Sequence, residues 1–558
     1  MKIPLTIIMA HTLSPASVVV LTILFLVRFV YTRWVQNRLY HRPPGPHPVP
    51  FFGNALQLPM EYQERTIWDW GKKYGNIIYA RFFQRHAIMI NSLEIAHDLL
   101  TKRSANYSDR PPFVSLDLMG WELSTVLLPY NARYKRHRRW IREAFTNKKK
   151  LLGYRAIQQR ETYILLSGLM STPQDLSSHF LRYTAAVIVE IVFGHTITAM
   201  DDIHIRLAET ATVATVEAGS PGSMLVDFFP ILQYWPTWMP FSEWKRKAFA
   251  IRNLAKAQIN TPYNMVKDRM ANGSARSCMV SDLIDELNQK DGGMNAEDDR
   301  DVKYATGILY EVLSFAAHPE LAANETTVTV LDAFALAMVK YPRVFKKAQE
   351  ELDRVIGLDR LPEYEDRESL PYLNCVLKEL YRWHPPFPLG VPHSSTNQDE
   401  YKGYKIPSGS MIMPNMWGMT RNEDFYHDPE EFIPERFEQS LTAQLNPSAS
   451  AQNLDSVADA NSTSTQTQFD YKDPSNIVFG FGRRQCLGQE FADIGIFFVM
   501  ACMISTLDIT RDINEHGEEI DPPHSFKSGF VHHVYPFKFV MKPRSKKVVD
   551  MVSQLVSS

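Results

Sequence analysis

One cysteine lies in a segment whose residue types and spacing suit a metal-bound cofactor. Residues 479–488 read Phe-Gly-Phe-Gly-Arg-Arg-Gln-Cys-Leu-Gly, which has the form F-x-x-G-x-R-x-C-x-G. A lone cysteine cannot complete a zinc site, but its thiolate can be one axial ligand of a haem iron. Positive groups and backbone amides stabilise such a thiolate, and glycines let the backbone come close to a flat ring. The segment therefore predicts Cys486 as the metal ligand, with cofactor-binding neighbours Phe479, Gly482, Arg484 and Gly488.

The other three cysteines, Cys278, Cys375 and Cys502, are scattered and form no C-x-x-C pair. This spacing argues against a disulfide framework or a zinc site, and it favours a reducing, cytosol-facing location. A buried structural cysteine is the usual fate of this residue type. We expect that fate for Cys375 and Cys502, and it is the alternative for Cys486.

Two further motifs come before the cysteine loop. Glu379 and Arg382 form an E-x-x-R pair, and residues 434–437 read Pro-Glu-Arg-Phe, which contains Arg436. An i,i+3 pair alone is common on helix surfaces. Together and in this order, the three motifs resemble the cytochrome P450 family over nearly the whole chain. The likeness is to fungal microsomal members, such as the O-methylsterigmatocystin oxidoreductase-like and tryptamine 4-monooxygenase-like groups.

This resemblance implies a fold and a reaction. The fold is mainly α with small β-sheets (α+β), that is, the cytochrome P450 fold with one N-terminal transmembrane helix. The cofactor is haem b (iron protoporphyrin IX), and behind it Glu379, Arg382 and Arg436 form a buried ion-pair network. The expected activity is a haem-thiolate monooxygenase that inserts one oxygen atom of O2 into a lipophilic or aromatic small molecule in fungal secondary metabolism.

The resemblance also assigns catalytic residues. Residues 322–327 read Ala-Ala-Asn-Glu-Thr-Thr, similar to the family's oxygen-activating helix, so we expect Glu325 and Thr326 to relay protons. A solvated glutamate is the alternative. Residues 312–321 look like an extra segment, and they include Pro319, which would break or kink a helix. This segment is either a genuine insertion or a piece of sequence that is normally spliced out.

Residues 130–139 resemble the family's propionate-binding helix, with Tyr134 in place of tryptophan. By this analogy Tyr134, Arg138 and His393 hold the propionates, although His393 could be purely structural. The helix also opens a basic run. A charge run is usually a solvated face, but beside a haem it suits an acidic flavoprotein. The run consists of Arg133, Lys135, Arg136, Arg139, Arg142, Lys148, Lys149 and Lys150.

The expected partners follow from the same reading. Electrons would come from NADPH through the flavoprotein NADPH–cytochrome P450 reductase, with cytochrome b5 as a second donor. The substrate pocket would be lined by mostly apolar segments, namely residues 113–128, 224–229, 387–391 and 528–531.

Two other functions stay open: a haem-thiolate isomerase or dehydratase that needs no external electrons, and a catalytically inactive haem-binding membrane protein. The formal net charge of -2 favours no nucleic-acid partner.

The N-terminus predicts how these groups are held at a membrane. Residues 3–27 contain no Asp, Glu, Lys or Arg, and several arginines follow. A span of ~20 apolar residues crosses a bilayer, and the positive charges after it stay in the cytosol. A cleaved signal peptide and a buried helix are the alternatives. We expect a single-pass endoplasmic reticulum protein that contacts membrane lipid, with its catalytic domain in the cytosol.

The rest of the chain predicts the supporting elements. The anchor with its basic segment is assigned to residues 1–42 and a proline-rich hinge to 43–50. The monooxygenase domain covers residues 51–545, with a mobile loop at 440–470, and 546–558 form a tail. Periodicity predicts strands at 77–82 and 87–90, mainly helices from about 130 to 390 with one helix over 333–356, strand and turn structure at 401–413, and strands in the last ~50 residues.

Overall fold

The computed structural model describes residues 41–219, 222, 224–290, 292–311, 326–438, 470–523 and 525–557, and three isolated positions, Val20, Leu24 and Arg28. The predicted anchor lies almost entirely outside these residues. The same holds for Glu325, for the extra segment 312–321 and for nearly all of the loop predicted at 440–470. The division of the chain at residues 42, 50 and 545 stays a prediction.

Helices make up most of the described part. In chain order the longer helices are α1 (Gln63–Tyr74), α2 (Ala132–Phe145), α3 (Lys148–Ser171), α4 (Leu176–Phe193), α5 (Ile203–Ala218), α6 (Glu243–Ala271), α7 (Met279–Asn288), α8 (Ala296–Glu311), α9 (Thr326–Lys340), α10 (Pro342–Val355), α11 (Pro371–Trp383), α12 (Gln489–Thr506) and α13 (Lys546–Ser557). The largest hydrophobic core is built mainly from α3, α4 and α9 to α12.

The strands are β1 (Ile77–Phe82), β2 (Arg85–Ile90), β3 (His393–Ser394), β4 (Asp399–Tyr401), β5 (Tyr404–Ile406), β6 (Met411–Pro414), β7 (Leu507–Arg511), β8 (Phe526–Lys527), β9 (His533–Val534) and β10 (Phe539–Pro543). The four-stranded sheet has the order β1-β2-β6-β3, in which β2 and β6 run parallel. β7 pairs with β10, β4 with β5 and β8 with β9. The expected α+β architecture, mainly helical with small sheets, is therefore confirmed.

Two expectations about elements were wrong. The helix predicted over residues 333–356 is two helices, because Pro342 begins α10 and the preceding Tyr341 leaves the helical region (φ -120°, ψ 70°). The last residues are not all strands, since α13 occupies most of the predicted tail. Val548 and Val552 of α13 are buried in the main core, so this segment packs as part of the protein body.

Two apolar helical segments within the described residues could cross a membrane by length and composition, Pro173–Phe193 and Gln489–Thr506. Most of each is buried inside the protein. Core helices of proteins without any span pass the same test, so these segments are weak support for membrane association.

Candidate active site

The cysteine loop connects a short helix, Ser475–Val478, to the buried helix α12. The Cys486 backbone N–H donates to the Phe479 carbonyl at 2.8 Å, which closes the loop. Burial raises the pKa of the Cys486 thiol, whereas the backbone amides of Gly488 and Gln489, which donate to the sulfur, and the Arg138 charge lower it. The loop therefore surrounds the sulfur with donors that oppose this rise, and Cys486 as the metal ligand stays a prediction.

The two predicted loop glycines have different roles. Gly482 has φ +53°, and a Cβ there would lie 2.1 Å from the Leu100 carbonyl oxygen. Its lack of a side chain thus allows close packing on the Leu100 backbone, which differs from the expected approach to a flat ring. At Gly488 a Cβ would lie 3.8 Å from Cys486 Sγ. A Cβ at this position would make an ordinary van der Waals contact with the candidate ligand atom, so Gly488 is not required by space there.

Three arginines, Arg110, Arg138 and Arg484, lie beside this loop, and we call them the cation cluster. Arg484 donates to the Ser108 carbonyl at 2.8 Å and to the Leu128 carbonyl at 2.6 Å, while its buried Nη1 has no hydrogen-bond partner among the described residues. Arg138 donates to the Gln485 carbonyl at 2.9 Å. The cluster is thus held mainly by neutral carbonyl groups.

Arg110 completes the cation cluster and was missed by the sequence reasoning. It donates to the carbonyls of Val126, Val391 and Pro392. Burial first, and then the neighbouring Arg484 and Arg138, lower its pKa well below the ordinary value. Its only sequence signal was an arginine placed directly before two prolines, which is too common to single it out.

The cation cluster has a charge imbalance. Asp109 is the carboxylate that acts on both Arg110 and Arg484, and its Oδ1 already accepts two backbone N–H groups. Buried positive charges without matching anions are costly. A dianionic group that reaches Arg484 Nη1 would therefore stabilise this part of the protein.

Tyr134 and His393 lie beside the same cluster. The Tyr134 hydroxyl donates to the Arg483 carbonyl at 2.7 Å, and the Arg484 guanidinium lies 3.7 Å from the Tyr134 ring centroid. His393 Nδ1 donates to the Tyr107 carbonyl at 2.7 Å. Burial, and then the charge of Arg110, lower the pKa of His393 well below its usual value. A neutral His393 has only an acceptor left at Nε2, so it fits an anion less well than the arginines do.

The predicted ion-pair network is present as a contact. Arg382 donates twice to Glu379, at 2.7 and 2.8 Å, and both side chains are fully buried. Arg436 Nε donates to Glu379 Oε1 at 3.2 Å. The remaining donors of both arginines go to backbone carbonyls between residues 420 and 431. We call Glu379, Arg382 and Arg436 the ion-pair network.

Thr326 begins helix α9 and is partly buried. Its expected partner Glu325 lies outside the described residues. The candidate pocket segments do approach one another. Phe387 and Phe530 form an edge-to-face pair with ring centroids 5.4 Å apart, and Ser115 donates to Asp227 at 2.8 Å.

Comparisons with known proteins agree with this arrangement. A family model for cytochrome P450 matches residues 43–541. The chain belongs to the cytochrome P450 family. It is 37% identical to "Cytochrome P450 monooxygenase 176" of Postia placenta over 98% of this chain and 99% of that protein. It is 35% identical to "Cytochrome P450 monooxygenase claR" of Ampulloclitocybe clavipes, over 97% and 92% of the two chains. A third relative, "Cytochrome P450 monooxygenase ppsD" of Aspergillus oryzae, is 32% identical over 96% of each chain.

These relationships confirm the expected family and reaction class, a haem-thiolate monooxygenase of the fungal P450 type. Membership of the P450 family implies a haem cofactor. The residues of this chain fit that group, because a sulfur with two amide donors lies close to the cation cluster, in which Arg484 Nη1 is unpartnered within the described part of the chain.

The basic run of this P450 is only partly a solvated face, which corrects the expectation for two of its members. Arg133 and Arg136 pair with Glu297 and Asp301 of helix α8, and Asp301 is fully buried. They connect α2 to α8 and are not free for a partner. The members of the run that are exposed are Lys135, Arg139, Arg142, Lys148 and Lys149.

A separate group of metal-ligating residue types, His195, Asp202 and His204, lies at the start of α5. Asp202 accepts from His195 Nε2 at 2.8 Å and from the His204 backbone N–H at 2.8 Å, so it holds the helix end. The Arg269 guanidinium faces His195 Nδ1 at 3.5 Å. Histidines that bind a metal usually donate this second ring N–H to an acceptor. An arginine in that place argues against a bound cation.

Proposed function

We propose that this P450 binds haem b through Cys486 and uses it to insert one oxygen atom of O2 into a small lipophilic or aromatic molecule. The single observation that carries the proposal is the pair of backbone amides aimed at Cys486 Sγ, next to the cation cluster. Arg484, Arg138 and Arg110 would hold the propionates, with Tyr134 packed beneath Arg484. The haem supplies an iron that activates dioxygen when it receives electrons.

The chain's own residues would orient the cofactor and move protons. The amides of Gly488 and Gln489 would lower the pKa of the Cys486 thiol and orient the sulfur. On the other side, Glu325 would take up protons and the Thr326 hydroxyl would pass them on, since an acid beside an alcohol can relay protons into a pocket that excludes bulk water. The ion-pair network would fix the backbone around residues 420–436 behind the cysteine loop.

The substrate proposal rests on the apolar lining. Phe113, Leu116 and Met119 belong to one buried hydrophobic cluster, against which Met224 packs. With Phe387 and Phe530 they offer aromatic and aliphatic surface with few polar groups, which suits a lipophilic compound. The relatives named above are fungal monooxygenases, and a role in fungal secondary metabolism is consistent with them.

We further propose that electrons come from NADPH through a flavoprotein reductase, with cytochrome b5 as a second donor. The exposed basic residues at the end of α2 and the start of α3 offer a positive surface to an acidic partner. Lys135, Arg139 and Arg142 are the members of this surface that lie on α2, which also carries Arg138.

Membrane association is proposed on two grounds. The first is the apolar N-terminus, which would anchor the protein in the endoplasmic reticulum membrane with its body in the cytosol. The second is an exposed apolar surface on the body, where Trp238 is 80% and Phe241 is 90% exposed. Phe51, which is 59% exposed and close to the predicted hinge, stacks on Phe229 at 6.0 Å. Aromatic residues of this kind suit the membrane interface.

The test of the haem proposal is the Cys486→Ala variant of the full chain. Parent protein that is reduced and exposed to carbon monoxide should give the red-shifted absorption band that marks a thiolate ligand. Cys486→Ala should lose that band, because alanine cannot ligate iron. Cys375→Ala is the matched control, since Cys375 is buried in a separate small cluster, and it should keep the band. A Cys486→Ala protein that keeps the band would refute the assignment.

A further inference from the structure

The hairpin of β8 and β9 is fastened at its base and its turn. The Ser528 hydroxyl oxygen accepts the Tyr62 backbone N–H at 2.7 Å, and the Tyr62 hydroxyl donates to the Phe526 carbonyl at 3.0 Å. The His532 backbone N–H donates to the Pro386 carbonyl at 2.8 Å. These bonds join the hairpin to the segment before α1 and to the segment after α11.

A side-chain contact also joins this hairpin to helix α9. His533 Nδ1 and Thr329 Oγ1 lie 3.2 Å apart and share a hydrogen bond, and Thr329 is 2% exposed. Thr329 lies three residues after Thr326, so the two threonines occupy the same face of the helix, one turn apart. The contact therefore lies next to the proposed oxygen-activating alcohol.

The environment keeps His533 in its neutral form. Burial, followed by the neighbouring His532 and Lys527, lowers the pKa of His533 to about 3. At neutral pH the His533–Thr329 bond is therefore a bond between two uncharged groups in a region shielded from water. Such a bond does not weaken through titration between about pH 5 and 8, so the contact is expected to be independent of pH in that range.

We propose that His533 is a positioning residue, which through Thr329 fixes the orientation of the α9 face that carries Thr326 relative to the pocket hairpin. The argument is geometric. The hairpin is hydrogen-bonded to Tyr62 and Pro386, and its turn residues 528–531 belong to the proposed pocket wall. Its second strand is hydrogen-bonded through His533 to Thr329 of α9, one turn from Thr326. A shift of the hairpin is therefore transmitted to the alcohol. This inference rests on the proposed function of Thr326 in proton delivery.

The test measures how oxygen is used by the holoenzyme with purified reductase and NADPH, and it needs no added substrate. The readout is the fraction of NADPH electrons that is released as hydrogen peroxide, because poorly aimed proton delivery favours peroxide release. Thr329→Val keeps the side-chain shape and removes the hydroxyl, and His533→Leu removes the ring. Each should raise peroxide release, by about 3-fold to 10-fold, because small misplacements of catalytic groups have effects of this order or larger. The double variant should be no worse than either single one, since both changes break the same bond.

Two further variants separate positioning from general damage. His533→Asn places an amide near the Nδ1 position and should restore most of the parent behaviour. His516→Leu, at an exposed histidine in the turn before β8, should match the parent. All variants should keep the carbon monoxide band, which shows that the haem is bound.

The outcomes separate the two proposals. A parent that consumes oxygen with NADPH, together with variants of unchanged peroxide release, overturns the positioning role alone. Additive effects of Thr329→Val and His533→Leu, or a His533→Asn variant as poor as His533→Leu, also overturn it. A parent that binds haem but shows no NADPH-dependent oxygen use overturns the proposed function and this inference with it.

Discussion

The ion-pair network and the cation cluster are two groups of buried or partly buried arginines that differ in how their charges are balanced. In the ion-pair network Glu379 lies between Arg382 and Arg436, and Arg382 makes two short bonds to it. In the cation cluster Arg484 and Arg110 donate to backbone carbonyls, and Arg484 Nη1 has no partner in the described part of the chain. One group is complete within the chain, and the other has room for an anion.

This difference distinguishes arginines that hold a fold from arginines that hold a ligand. A buried guanidinium is tolerated when a carboxylate and several carbonyls satisfy it. Where one carboxylate, Asp109, serves several arginines, the folded chain retains unbalanced positive charge, and a bound anion removes the penalty. The comparison therefore predicts opposite consequences for changes in the two groups, which experiments can separate.

The largest effect is expected for Glu379→Gln. This change leaves two buried arginines without their carboxylate, and breaking a buried ion pair costs about 3–5 kcal/mol. That loss is a large part of a typical stability of about 5–15 kcal/mol. The midpoint temperature of thermal denaturation and the haem content per protein should both fall sharply. Glu286→Gln, in the exposed pair with Lys290, is the control and should change stability by about 0.5 kcal/mol or less. A Glu379→Gln protein as stable as the parent would remove the structural half of the comparison.

A smaller and different effect is expected for Arg484→Gln. The amide keeps a donor for one of the two carbonyls, and the change removes one of three like charges, so the haem-free protein should lose little stability. Haem should instead dissociate ~10-fold faster or more, because a hydrogen bond to a charged group contributes about 1.5–3 kcal/mol. Transfer of haem to an acceptor protein measures the dissociation rate, and thermal denaturation of the haem-free form measures stability. If stability and haem retention fell equally, the two arginine groups would not differ in kind.

Sequence patterns predicted the site best where function depends on neighbours along the chain. Strand β1 lies where its alternation predicted it, and Glu379 and Arg382 make the contact that the family resemblance implied. The role of the cysteine loop, which is also a local feature, stays a prediction. Arg110 was missed because it reaches the site only through the folded chain, near residues 391 and 392. The break at Pro342 was missed because apolar periodicity continues across it, although the proline itself was a visible signal. The role of Gly482 against Leu100 depends on a contact that joins residues 382 positions apart.

The same reasoning explains why the prediction for the basic run holds for only some of its members. A run of positive residues does not show which of them point toward other helices. Arg133 and Arg136 face α8, where Glu297, Asp298 and Asp301 receive them. Arg139 is exposed. Three-dimensional structure, and not charge density, decides which members of the run can meet a partner.

The smallest effect is expected at Arg139, and it applies the same distinction between paired and unpaired charge to the surface. Arg139→Glu should slow reduction by the flavoprotein reductase by about 3-fold to 10-fold at low salt, since electrostatic steering changes association rates by this order or more. The difference in reduction rate between variant and parent should shrink as salt rises, because attraction between surface charges is screened within ~10 Å at 0.1 M.

Arg136→Glu is the matched comparison on the same helix. It faces three carboxylates, so it should lower the melting temperature. Stopped-flow reduction across a salt series, with denaturation curves for both variants, checks this. If Arg139→Glu reduces as fast as the parent at low salt, the reductase binds elsewhere. If Arg136→Glu slows reduction without loss of stability, the ion pairs of Arg136 with α8 do not keep this residue from binding the reductase.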